Sequence, residues 1–136
     1  MAKRSIIRQS IVLNAPAHRL FAMYLDSRHH AAITGMPVRV SRAEGSAFRA
    51  FGGALSGRTL AVDTPRLIVQ SWRSTNFGVH DSDSTLILSF TPAGGNRGRI
   101  DLLHLDVPKV DYRGVNEGWK LYYWRPWRAY LARAGR

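Results

Sequence analysis

The opening of the chain changes from the hydrophobic period of a strand to that of a helix. Residues 6–13 are rich in β-branched side chains and partly alternate, which predicts a strand that ends just before Pro16. Apolar residues then recur with the spacing of one helical face, at Leu20, Phe21, Tyr24 and Leu25. Asp26 is suited to cap a second helix that ends near Gly35. We therefore predict a strand followed by two short helices.

The middle of the chain, from Pro37 onward, consists of short apolar or alternating runs separated by turns, most of which contain glycine. This punctuation is typical of an antiparallel meander. Six strands are predicted, near residues 37–42, 47–52, 54–63, 66–74, 84–92 and 98–107. Gly52-Gly53 fits a two-residue hairpin turn, because such turns need the positive φ that glycine adopts readily.

The last segment, residues 111–133, has the strongest helical pattern of the chain. Its apolar residues form one stripe, at Val115, Trp119, Tyr123, Trp127, Tyr130 and Leu131. Pro126 lies within this stripe and cannot donate to the carbonyl of Tyr122, so we predict a kink there rather than the end of the helix. Tyr122 and Trp124 fall off the stripe, which places them either beneath the short N-terminal helices or at a partner or dimer contact.

Length and composition predict one folded domain over residues 1–136, with 45% hydrophobic and 21% charged residues and no linker or repeat. The chain has no cysteine, which excludes disulfides, thiolate nucleophiles and cysteine-ligated metal sites and makes a reducing cytoplasm the expected location. The apolar stretch at the N-terminus is too short for a signal sequence. No window approaches the roughly 20 apolar residues of a membrane span. We expect a soluble protein.

The charge balance changes the range of expected partners. The net charge is +11, from 20 Lys plus Arg against 9 Asp plus Glu. Such a field favours acidic partners, and an acidic protein partner fits it. The arginines are scattered along the chain without a dense basic tract, so nucleic acid is not expected as the main partner.

Several local segments resemble one superfamily of known proteins. The order of strand, two helices, six-stranded meander and long helix resembles the START-like (SRPBCC) superfamily. Residues 11–21 are similar to its entry, in which a strand ends at Ala-Pro and leads into a helix. Residues 44–53 and 56–58 resemble its paired strands, and residues 67–73 resemble the strand that follows them.

The last helix narrows the resemblance to a subgroup. Gly118-Trp119, followed by Tyr123-Trp124 and Trp127, is similar to the C-terminal helix of the proteins named for the activator of the 90-kDa heat-shock protein ATPase. The resemblance implies an α+β helix-grip fold. In that fold a curved antiparallel sheet wraps around a long C-terminal helix and carries two short N-terminal helices.

The resemblance also implies a cavity between the concave face of the sheet and the C-terminal helix. Phe51, Trp72, Trp119 and Tyr123 are candidate walls, and His104 is a candidate polar group, because ligand pockets combine apolar walls with a few polar groups. The alternative is that these aromatic side chains only fill the core, as large aromatic residues commonly do.

One pair of residues offers acid-base chemistry. His104 and Asp106 stand two apart on a predicted strand and should share a face, where the carboxylate could orient the imidazole. A nucleophile and a third metal ligand are both missing from the pattern, so a structural pair is favoured. No metal site, cofactor or phosphate-binding loop is expected.

Three hypotheses about function follow. The leading one is a domain that binds a small hydrophobic or lipid-like ligand rather than an enzyme. The second is a protein-interaction module, associated with chaperones or stress, that meets an acidic partner. The third is a cyclase- or hydrolase-like enzyme that uses His104 or Asp106. The sequence leaves open whether the protein is a monomer or a dimer.

Overall fold

The strands form one antiparallel sheet of seven members, in a computed structural model that describes residues 4–134. Their order across the sheet is β1-β7-β6-β5-β4-β3-β2, so the first and last strands of the chain are neighbours. The strands are β1 Arg4–Leu13, β2 Val38–Arg39, β3 Ala47–Ala50, β4 Leu55–Asp63, β5 Leu67–Ser74, β6 Ser84–Pro92 and β7 Gly98–Pro108.

The helices occupy the two ends of the chain. The first two, α1 Ala17–Leu25 and α2 Ser27–Thr34, follow β1 directly. The C-terminal helix is continuous but changes type: it consists of α3 Tyr112–Gly118, a π-helical segment Trp119–Trp124, and α4 Arg125–Ala134. The predicted helix-grip fold is confirmed. None of the described helices is long and apolar enough to cross a membrane.

The period of two in the central strands builds the core. Alternate residues of β5 and β6 are buried on the face that the helices cover, including Ile68, Trp72, Leu86 and Phe90. The side chains between them point to the outer face and are half-buried. One face of the sheet therefore packs on helices while the other meets solvent, as is common for antiparallel sheets.

A bulge near the end of β7 separates the predicted His104–Asp106 pair. Asp106 has a φ of 59°, and the pairing with β1 shifts register between Ser5 and Ile7. A bulge inserts one extra residue and reverses the alternation beyond it. His104 is consequently buried, Asp106 is exposed, and Val107 is the next inward residue. The expectation that His104 and Asp106 share a face is wrong.

The turn between β3 and β4 is longer than predicted. Ala50 pairs with Leu55, which leaves four residues in the connection instead of two. Its first three residues, Phe51–Gly53, form a short 3-10 turn, and all three have positive φ. Gly52 and Gly53 adopt the positive φ that was predicted for them. Phe51, in the same turn, also has a positive φ.

The C-terminal helix widens immediately before Pro126, where we predicted a kink. The backbone N–H of Arg125 donates to the carbonyl of Lys120, five residues back. The wider turn also changes where side chains point. Trp124 is buried and stacks on Trp119 with ring centroids 5.7 Å apart, so it packs inside the protein rather than at the alternative partner or dimer contact. Tyr122 does point away from the core and is 53% exposed.

Candidate functional site

A cavity of about 460 Å³ lies between the sheet and the C-terminal helix. Four of the predicted site residues line it, and they come from three different elements. Trp72 occupies an inward position of β5, Phe51 stands in the turn before β4, and Trp119 and Tyr123 lie on the π-helical segment. The fifth predicted residue, His104, does not line the cavity and is considered separately below.

Phe51 reaches the cavity from a strained backbone conformation. Its φ of 55° lies in the left-handed region, which bulky residues rarely adopt. The side chain gains ring contacts in return, because its centroid lies 5.8 Å from those of Tyr122 and Tyr123. Such strain persists where the surrounding structure holds it and is concentrated at functional sites.

Two glycines of the C-terminal helix form part of the cavity wall. Gly114 and Gly118 are one turn apart and both line it. A β-carbon at Gly114 would come within 2.9 Å of Asp111 Oδ1, and one at Gly118 within 3.5 Å of the Tyr122 ring. Each glycine in a helix interior costs about 1 kcal/mol relative to alanine. Their four-residue spacing was visible in the sequence and was a signal that our sequence analysis missed.

His104 supports two cavity walls from behind. It is fully buried, and its Nδ1 accepts a hydrogen bond of 3.2 Å from the indole N–H of Trp119. An indole N–H can only donate, so the neutral ring carries its proton on Nε2 and donates to Ser84 Oγ over 2.8 Å. Ser84 in turn donates to the carbonyl of Trp72. Burial lowers the pKa of His104 to about 3, so it holds the walls as a neutral imidazole.

Tyr123 is anchored in a similar way by a histidine that was not a sequence candidate. Its hydroxyl lies 2.8 Å from His30 Nε2, and His30 Nδ1 lies 2.8 Å from the carbonyl of Tyr24. Since a carbonyl only accepts, Nδ1 carries the proton and the Tyr123 hydroxyl donates to Nε2. Burial lowers the pKa of His30 to about 4, against the opposing effect of the Tyr24 carbonyl.

The polar end of the cavity is built by the end of β5 and the start of the C-terminal helix. Ser74, Thr75, Asn76 and Asp111 line it. Burial raises the pKa of the Asp111 carboxyl, and hydrogen bonding from the side chains of Ser74 and Asn76 opposes this. Asp111 stands at a helix start, but its side chain makes no capping hydrogen bond. Its place in the sequence, at the start of a helix, therefore did not predict that it lines the cavity.

Residues 14–132 match the family described as Activator of Hsp90 ATPase homolog 1-like protein. The chain belongs to this family. The resemblance to the START-like superfamily, and to the subgroup named for the heat-shock protein ATPase activator, is therefore confirmed.

Individual relatives of this family member are distant. An activator of 90 kDa heat shock protein ATPase homolog from Dictyostelium discoideum is 25% identical over 100 residues, which are 74% of this chain and 26% of that protein. An uncharacterized protein of Schizosaccharomyces pombe is 31% identical over 71 residues, which are 52% of this chain and 21% of that protein. The chain thus spans about a quarter of the length of the curated relatives it matches.

A solved structure shows the same fold. An HSP90 activator from Plasmodium falciparum superposes with a TM-score of 0.83 at 21% identity, over 93% of this chain and 96% of that one. In this member of the Hsp90 ATPase activator homologue family, the cavity between the sheet and the C-terminal helix has mainly apolar walls and one polar end. Two buried histidines lie behind the walls. Both are neutral and hydrogen-bonded at both ring nitrogens, and one of these bonds connects each histidine to a cavity wall.

Proposed function

We propose that this protein binds a small, mainly apolar molecule in the cavity between the sheet and the C-terminal helix. The observation that carries the proposal is the cavity itself, a space of about 460 Å³ with aromatic walls. Ligand pockets in proteins span roughly 300–1,000 Å³ and combine apolar walls with a few polar groups. The size and the lining of this cavity agree with both properties.

The support behind the walls strengthens the proposal. Trp119 and Tyr123 are each held by a hydrogen bond from a polar side-chain atom to a buried histidine. A site whose walls are fixed before binding loses less side-chain freedom when the ligand enters. Two residues that line the cavity, Met36 and Tyr122, are 44% and 53% exposed, so the lining extends to the protein surface.

The experiment tests the cavity by adding a side chain to it while the aromatic wall residues stay unchanged. In Gly118→Leu the new side chain would extend into the cavity, whereas Leu121→Ala changes a 46% exposed residue of the same helix that does not line it. Binding of the neutral dye Nile red is followed by its fluorescence. We expect Gly118→Leu to weaken binding by about tenfold or more and Leu121→Ala to leave it unchanged. Equal binding by all three folded proteins would refute the proposal.

A second candidate function is association with a chaperone of the 90-kDa heat-shock class. Family membership favours it, and the net charge of +11 suits an acidic partner surface. Adding the protein to such a chaperone should raise the rate of ATP hydrolysis, and the effect should weaken with rising salt because surface charges are screened. An unchanged rate at low salt, with no detectable complex, would remove this candidate.

A further inference from the structure

The cavity has a charge opposite in sign to that of the protein as a whole. The chain carries 20 Lys plus Arg, yet among the described residues that line the cavity none is a lysine or an arginine. Asp111 is the one charged side chain of that lining. A ligand inside the cavity therefore meets a carboxylate and no cation.

The Asp111 carboxylate is set into this wall rather than directed to bulk solvent. The residue is 8% exposed and lies at the end of the 3-10 turn Lys109–Asp111. Ser74 and Asn76 act as hydrogen-bond donors to it. An ionised carboxylate accepts about four hydrogen bonds, so two neutral donors leave acceptor capacity unused. A buried charge of this kind is unfavourable unless a partner of opposite charge compensates it.

The space beside the carboxylate is kept clear. Gly114 stands one helical turn away, and any β-carbon there would lie 2.9 Å from Asp111 Oδ1. The glycine therefore leaves that oxygen accessible from the cavity, at a cost in helix stability of about 1 kcal/mol relative to alanine. The neighbouring walls carry two indole rings, Trp72 and Trp119, whose faces also attract cations.

These observations extend the proposed function and depend on it. We infer that the ligand is an apolar molecule with an amine at one end, whose ammonium group pairs with the Asp111 carboxylate. A ligand that ends in a carboxylate, such as a fatty acid, would place like charges together with no cation nearby. The cavity would thus discriminate against acidic lipids although the surface of the protein attracts anions.

The test uses three probes that share one apolar body and differ at one end. They are 2-(2-naphthyl)ethylamine, 2-(2-naphthyl)ethanol and 2-naphthylacetate, and equilibrium dialysis at neutral pH and physiological salt measures their binding. We expect the amine to bind at least about tenfold more tightly than the carboxylate, since a charge-assisted contact replaces a repulsive one. The +11 net charge alone would produce the opposite order.

Two variants assign this preference to Asp111. Asp111→Asn keeps the shape of the side chain, and we expect it to bring the amine and the carboxylate within about threefold while binding of the alcohol stays unchanged. Asp63→Asn is the matched control, because it changes the net charge equally at the exposed end of β4. Gly114→Ala should crowd Oδ1 and lower amine binding selectively, which provides a second measurement if Asp111→Asn does not fold.

The possible failures are distinguishable. If the alcohol binds but the amine is not preferred over the carboxylate, or if the preference survives in Asp111→Asn, the inference about the amine is wrong and the ligand-binding cavity stands. If none of the three probes binds the wild-type protein, both the proposed function and this inference are overturned.

Discussion

Trp119 donates its indole N–H to Nδ1 of His104 over 3.2 Å, and this bond joins the C-terminal helix to β7 of the sheet. Trp127 on the same helix is as deeply buried, at 1% exposure, but its Nε1 has no hydrogen-bond partner among the described residues. The two indoles fill similar amounts of core and differ in whether their polar atom is satisfied. That difference leads to a direct comparison of two variants.

Replacing each of these tryptophans by phenylalanine should have unequal effects. Trp119→Phe leaves Nδ1 of His104 buried without a donor, and an unsatisfied buried group costs about 1–3 kcal/mol. Trp127→Phe removes a donor that has no partner among the described residues. Its effect on the free energy of unfolding therefore comes only from the lost side-chain volume. We expect Trp119→Phe to be about 1–2 kcal/mol more destabilising in urea unfolding. Equal losses would show that the His104 bond contributes nothing to stability.

The two buried histidines predict that the fold loses stability in mild acid. Burial lowers the pKa values of His30 and His104 to about 4 and about 3, whereas in the unfolded chain they titrate near 6.5. The folded state therefore binds fewer protons over this range. Their contribution to stability is complete above pH 6.5 and is lost as the pH falls through the folded values. The loss is on the order of 3 kcal/mol for His30 and on the order of 5 kcal/mol for His104.

His29 offers a matched control for this pH dependence. It neighbours His30 in α2, but its side chain is 51% exposed. Unfolding free energies measured between pH 7 and pH 4 should fall steeply for the wild type and for His29→Gln. The slope should be smaller for His30→Gln, whatever its stability at pH 7. A slope unchanged by His30→Gln would contradict the assignment of a buried neutral imidazole.

Phe51 predicts an inverted order of stability between alanine and glycine. Elsewhere in a folded chain, alanine is usually the better replacement, because glycine loses more backbone freedom on folding. At the φ of 55° found for Phe51, glycine is unstrained and alanine is not. Both variants lose the ring contacts equally, so Phe51→Gly should be more stable than Phe51→Ala by about 1 kcal/mol. The neighbouring Ala50, with a φ of −136°, should instead be destabilised by glycine.

The regular parts of this fold were predictable because they follow periodic patterns. The alternation of β5 and β6 and the stripe on the C-terminal helix both repeat over several residues, and burial of one face explains each of them. Trp72, Trp119 and Tyr123 lie within such patterns, so they could be chosen as candidate walls once the family resemblance implied a cavity. The period determines which side chains face the core, so the direction of each of these side chains can be predicted from the sequence.

The missed features are single departures from a period. The bulge at Asp106 and the π-helical segment at Trp119–Trp124 each shift the side chains that follow, and a pattern of alternation contains no sign of either. His30 and Asp111 were missed for a different reason. Their roles depend on Tyr123 and on Ser74, which are distant in the sequence and meet only in the folded chain.

Gly118 leads to a final prediction, that stability and ligand binding change in opposite directions. Its backbone is in the right-handed helical region, with φ −59° and ψ −39°, so alanine fits without strain. The added β-carbon would lie 3.5 Å from the Tyr122 ring, an ordinary contact. Gly118→Ala should therefore raise the unfolding free energy by about 0.5–1 kcal/mol through helix propensity.

The same methyl group occupies cavity space, so binding of Nile red should weaken in Gly118→Ala, by less than in Gly118→Leu. Gly114→Ala supplies the contrast, because its β-carbon would come within 2.9 Å of Asp111 Oδ1 and the resulting clash should offset the gain in propensity. Glycine at position 118 would then be a residue that lowers helix stability and keeps a binding site open. If Gly118→Ala stabilises the protein and binds the dye as tightly as the wild type, the glycine has no such role.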